Sequence, residues 1–117
     1  KLSLDDDVQR YISELPDYGY KMTIRHLIHH PSGLRDWGSI VAMAGRERGT
    51  FVYTNVHVLD ILRQQQGLNF PPGDQYNYSN SNYNLLAMIV ERASGQTLAQ
   101  YTKENIFQPL GMKNTQW

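Results

Sequence analysis

At 117 residues with 40% apolar side chains, the chain is long enough for one domain around one core. Lys plus Arg and Asp plus Glu number 11 each, so net charge is zero, and the absence of cysteine excludes disulfides, thiolate chemistry and Cys-based metal sites. The densest basic stretch, Arg46-Glu47-Arg48, is split by a carboxylate and reads as solvated surface, which argues against a nucleic-acid partner, and no apolar run approaches membrane-spanning length.

In chain order, Leu2-Ser3-Leu4 leads into Asp5-Asp6-Asp7, and Val8, Tyr11, Ile12 and Leu15 follow at helical spacing. Aspartates at a helix start cap free amides and suit the positive dipole end, so this pattern predicts a helix that Pro16 ends. Thr23 then caps a short helix from Ile24 to about His30, stopped by Pro31-Ser32-Gly33. His26, His29 and His30 fall at i, i+3 and i+4, where two imidazoles can share a metal. No Glu stands between them and no third ligand presents itself, so helix-end histidines favoured by the dipole are the preferred reading and no metal is expected.

Ile40 to Ala44 predicts a helical turn or two closed by Gly45, and Phe51-Val52-Tyr53 reads either as a short strand or as a lead into the next helix. Thr54 caps a helix through Gln65 with Val58, Leu59 and Leu62 inward. After the Pro71-Pro72-Gly73 turn, about Ser81 to Ala93 is apolar almost all round and is expected to be buried on most sides. Thr97 opens a last amphipathic helix with Leu98, Tyr101, Ile106 and Phe107 facing in, and Met112 to Trp117 reads as extended. The sum is a mainly α single unit without repeat or linker. It begins at Lys1 without Met and without a signal peptide, as an excised or processed piece would.

Tyr78-Ser79-Asn80 sits between the Pro-Pro-Gly turn and the apolar helix, so a phenol and a carboxamide can point into one cleft. A phenol ordinarily ionises near pH ~10, and it works as a general base only beside a cation such as an ammonium. A carboxamide offers both donor and acceptor to a substrate. On the triplet alone, a helix N-cap at Ser79 or Asn80 with Tyr78 in the core is preferred over that catalytic reading.

Four ordered blocks resolve the choice by resemblance. They are Lys1-Leu2-Ser3-Leu4-Asp5-Asp6-Asp7-Val8; Thr23 through His30-Pro31-Ser32-Gly33-Leu34; Phe70-Pro71-Pro72-Gly73 through Tyr78-Ser79-Asn80 to Gly95; and Ile106-Phe107-Gln108-Pro109-Leu110-Gly111-Met112. In order and spacing they resemble the serine β-lactamase-like family of class C β-lactamases, penicillin-binding proteins, DD-peptidases and related esterases and amidases. The resemblance implies the helical subdomain of that fold, with 1–117 a single partial domain lacking most of the α/β sandwich. It implies Tyr78 as catalytic proton shuttle and Asn80 as partner of the substrate or of a lysine. It also implies a small-molecule or peptide acyl substrate and no cofactor, and it favours an extracytoplasmic setting that the residues themselves leave open.

That mechanism needs a Ser with a Lys three residues on and a Lys/His-Ser/Thr-Gly strand. Here Ser3, Ser13, Ser32, Ser39, Ser79, Ser81 and Ser94 meet Asp6, Pro16, Arg35, Ala42, Asn82, Asn84 and Thr97, and no such strand motif follows Tyr78. The chain is therefore expected to be inactive alone. The alternative is a non-catalytic helical module that self-associates or binds a protein through the apolar surface left bare. Two residues depart from common family wording: Pro31, where Thr is frequent, and Asn82, where Gly is frequent. His30 and Ser32-Gly33 are expected to stabilise the fold.

Overall fold

A computed structural model describes residues 2–46 and 49–117; Glu47 and Arg48, and with them most of the basic stretch, lie outside the described residues, as does Lys1. The architecture is mainly α, as expected: α1 (Ile24–His29), α2 (Trp37–Met43), α3 (Asn55–Arg63), α4 (Asn80–Ser94) and α5 (Leu98–Thr102), with a π-helical turn over Lys103–Phe107 running on from α5. α4 is the central element and packs against α1, α2, α3 and α5. Its Leu85, Met88 and Ile89 meet Leu27 of α1 and Val58, Leu59 and Leu62 of α3 in one buried cluster. Among the described residues there is no strand, and no helix is long and apolar enough to cross a membrane.

Three of the helix starts use the expected caps. Thr23, Thr54 and Thr97 each accept from the backbone amide three residues on, and that third residue answers with its side chain. In α1 and α3 the answering group is an imidazole, His26 or His57, whose Nδ1 accepts from the capping residue's own amide at 3.2 and 3.1 Å. His26 is thus an N-terminal capping residue of α1, which corrects its reading as a helix-end histidine. Among the described residues no group of three His, Cys, Asp or Glu could hold a metal ion.

The first predicted helix is corrected. Only a 3-10 turn forms, Val8–Arg10, although Val8, Ile12 and Leu15 are buried as the spacing requires. The backbone bonds elsewhere: Val8 N–H donates to Met22 O at 2.8 Å, and Ile24 and Arg25 N–H donate to Asp6 and Leu4 O. Pairing with the lead into α1 pulls the segment out of helical register. Of the three aspartates only Asp7 caps, while Asp6 accepts from the Tyr11 hydroxyl at 2.7 Å and Asp5 pairs with Arg25. Phe51-Val52-Tyr53 is a lead into α3 rather than a strand.

The C-terminal expectation is corrected in part: Leu98, Tyr101 and Phe107 are half-buried, but Ile106 does not face in. In α5 and the π turn only Thr102 is buried, and Ile106 is exposed. α4 itself is buried on one face; Tyr83 on its other side is exposed, and Leu86, Ala87 and Val90 are half-buried. These side chains, with Trp37, Leu98 and Trp117, line an open apolar groove of about 780 Å³.

Candidate active site

α4 begins without a side-chain cap of its own. Ser79 stands at its N-cap position, yet the Ser79 hydroxyl makes no capping bond and is buried without a hydrogen-bond partner among the described residues. Two groups from the segment joining α1 to α2 do the work instead.

The first is Asp36, itself the N-cap of α2. Its Oδ2 accepts from the Ser39 amide and hydroxyl at 3.0 and 3.1 Å. Its Oδ1 accepts from the Asn80 backbone amide and from Asn80 Nδ2, both at 2.9 Å. Burial pushes the Asp36 carboxyl up, but the bonds from Asn80 and Ser39 outweigh it and leave the carboxyl below its ordinary value.

The second is His30, which closes α1 at φ 69, the one described non-glycine residue with a left-handed backbone. That conformation turns the ring under the entrance of α4, where its centroid lies 4.5 Å from that of Tyr78 and 5.4 Å from that of Tyr83. Ser79 N–H points at His30 Nδ1 from 3.4 Å and Asn82 Nδ2 from 3.0 Å. A backbone amide can only donate, so Nδ1 accepts and the ring proton sits on Nε2. Burial, and then His29, push the His30 pKa down, consistent with that neutral ring.

Asn82 completes the support. It is fully buried, and its Oδ1 accepts from the Ser32 hydroxyl at 2.7 Å. Ser32 Oγ in turn accepts from the Leu34 amide at 3.2 Å. Gly33, at φ 75, lies so close to Phe70 that an added Cβ would fall on the Phe70 carbonyl oxygen. His30 and Ser32 therefore form a scaffold that ties the α1–α2 segment to α4, and Gly33 packs that segment against Phe70. Asn82, noted in the sequence as standing where Gly is frequent, is the hub of that scaffold.

On this scaffold the Tyr78 hydroxyl donates to Asn80 Oδ1 at 3.2 Å. Tyr78 is 56% exposed, which sets aside its reading as a core residue. It opens onto a cleft of about 370 Å³ shared with Asp36, Asn77, Asn69 and Arg35, with no lysine among the described residues that line it. Asn80 sits between this cleft and the apolar groove along α4. The two residues singled out in the sequence are thus brought together at an open edge, as a donor–acceptor pair over a rigid floor. Asp36 was missed; its only signal was an acid just before the apolar turn that starts at Trp37.

The beta-lactamase family model matches residues 1–117, and the chain belongs to that family. It is 38% identical to penicillin-binding protein 4* of Bacillus subtilis (strain 168), over 97% of this chain and 25% of that protein. It is 33% identical to a D-aminopeptidase of Brucella anthropi, over 97% of this chain and 21% of that protein. Among solved structures, the octameric penicillin-binding protein homologue from Pyrococcus abyssi superposes with a TM-score of 0.79 at 33% identity, covering 96% of this chain and 26% of its own. The chain thus has the helical part of the serine β-lactamase-like fold and spans about a quarter of the length of the relatives it matches.

Proposed function

We propose that this chain is the Tyr-x-Asn-bearing helical part of a serine acyl hydrolase, a single partial domain over 1–117. Tyr78 moves the proton, and Asn80 holds the substrate or a lysine ammonium against it. The carrying observation is the Tyr78–Asn80 hydrogen bond, solvent-open on one side and braced by buried polar contacts on the other. The names of the relatives, a penicillin-binding protein and a D-aminopeptidase, favour an acyl donor of the β-lactam or D-amino-acid peptide type.

No serine of this chain is followed three residues on by lysine, so the nucleophile comes from outside 1–117 and the chain alone acylates nothing. A fluorescent penicillin and an activated fluorescent ester, resolved on a denaturing gel, test this. The 117-residue chain stays unlabelled; a covalent band on it would defeat the reading.

A second reading is favoured by the apolar groove along α4: a helical module that self-associates, as the octameric relative does in its own structure. It predicts a sedimentation coefficient that rises with concentration. A monomer at every concentration excludes it.

A further inference from the structure

The geometry points to Asp36 as the positioning residue of this site: it decides which end of the Asn80 carboxamide faces Tyr78. The inference rests on the reading of Tyr78 and Asn80 as a reacting pair. An isolated carboxamide can present either its oxygen or its NH2 to a neighbour, at nearly equal cost. Next to Asp36 that freedom is gone. An ionised carboxylate has no proton to give, so the end of Asn80 that lies 2.9 Å from Asp36 Oδ1 is the NH2. The oxygen is thereby turned toward Tyr78, whose hydroxyl donates to it at 3.2 Å.

The same Asp36 oxygen takes the Asn80 backbone amide, which no cap from Ser79 serves, so main chain and side chain of Asn80 are fixed together. The other Asp36 oxygen is held by Ser39, which stops the carboxylate from rotating. The consequence is chemical. Asn80 Oδ1 keeps one lone pair for Tyr78 and offers the other to the open side. A substrate amide N–H or an ammonium is accepted there, while the second Nδ2 proton, which Asp36 does not use, stays available to a carbonyl oxygen. An inverted carboxamide would face the Tyr78 hydroxyl with NH2. The phenol would then have to accept rather than donate, and the site would lose its acceptor.

The test compares wild-type chain with Asp36→Asn by NMR. In Asp36→Asn a neutral carboxamide replaces the charged acceptor, and its NH2 must face donors at either Asn80 or Ser39. The wild-type chain should show slowly exchanging, downfield Asn80 side-chain amide protons without cross-relaxation to the Tyr78 ring. Asp36→Asn should lose the downfield shift, exchange at least about 10-fold faster, and gain contacts to the Tyr78 ring. Should Asp36→Asn not fold, Asp36→Ser keeps a helix-capping hydroxyl for α2 while withdrawing the carboxylate from Asn80, and the same changes are expected. Asn80 signals unchanged in a folded variant overturn the assignment. In the longer, active protein, Asp36→Asn should lower kcat/KM by about 10- to 100-fold. Full turnover in Asn80→Ala would instead remove the catalytic reading of the pair and leave the NMR result standing.

Discussion

Asn82 shows how much one buried side chain can carry at the residue scale. Its carboxamide joins Ser32 on α1's trailing loop to the His30 ring, and both partners are themselves buried. Removing it leaves the Ser32 hydroxyl without its acceptor and takes the nearer of two donors from the His30 ring, which keeps only the Ser79 amide at 3.4 Å; an unmet buried group costs about 1–3 kcal/mol. Asn82→Ala should therefore lower unfolding free energy by about 2–3 kcal/mol, read from urea denaturation. A loss below about 0.5 kcal/mol would deny Asn82 this role. The Tyr78–Asn80 pair was legible in the sequence because its members are two residues apart. The roles of Asn82 and Asp36 were not, because their partners lie 50 and 44 residues away, and a replaced Gly and an acid before Trp37 do not name those partners.

Among the elements, the clearest lesson comes from residues 8–15. Helical spacing correctly named Val8, Ile12 and Leu15 as buried, yet the segment folds as one 3-10 turn: its start is held in an extended pairing, with the Val8 amide donating to Met22 and the carbonyls of Asp6 and Leu4 just ahead taken by Ile24 and Arg25. Periodicity reports which side chains face the core; it does not report where the backbone bonds go. The segment is also fastened to the far end of α4, where the Arg92 guanidinium grips Glu14 through two bonds of 2.8 and 2.7 Å. The hydrogen bond from Arg92 is the main reason the Glu14 carboxyl falls from its ordinary 4.5 to about 2. A carboxylate whose folded pKa is depressed stabilises the fold above its unfolded pKa and loses that contribution as pH falls toward the folded value. The pair is substantially solvent-exposed, so screening limits it to about 0.5–1 kcal/mol. Glu14→Gln should lose that much at neutral pH and show a correspondingly shallower decline in stability between pH 4.5 and about 2, followed by thermal melts. An acid limb identical to wild type would mean that the ion pair contributes nothing in solution.

Across the whole molecule, the family and its helical part were readable from four ordered blocks, and the comparisons bear that out over 1–117. The apolar groove along α4 was foreseen only as bare surface in general. Its place could not be read, because the near-uniform apolar run of α4 hides which face meets α1 and α3. The fold explains why Tyr78 and Asn80 are presented together: a left-handed His30, a shared Asp36 and a buried Asn82 fix the entrance of α4 while leaving its outer edge open. What this arrangement is for is decided most directly by the acylation rate of the longer protein with fluorescent penicillin or activated ester, comparing wild type with Tyr78→Phe. If Tyr78 transfers the proton, the variant folds normally and is labelled at least about 100-fold more slowly. Labelling at the wild-type rate by a folded Tyr78→Phe protein would contradict the account.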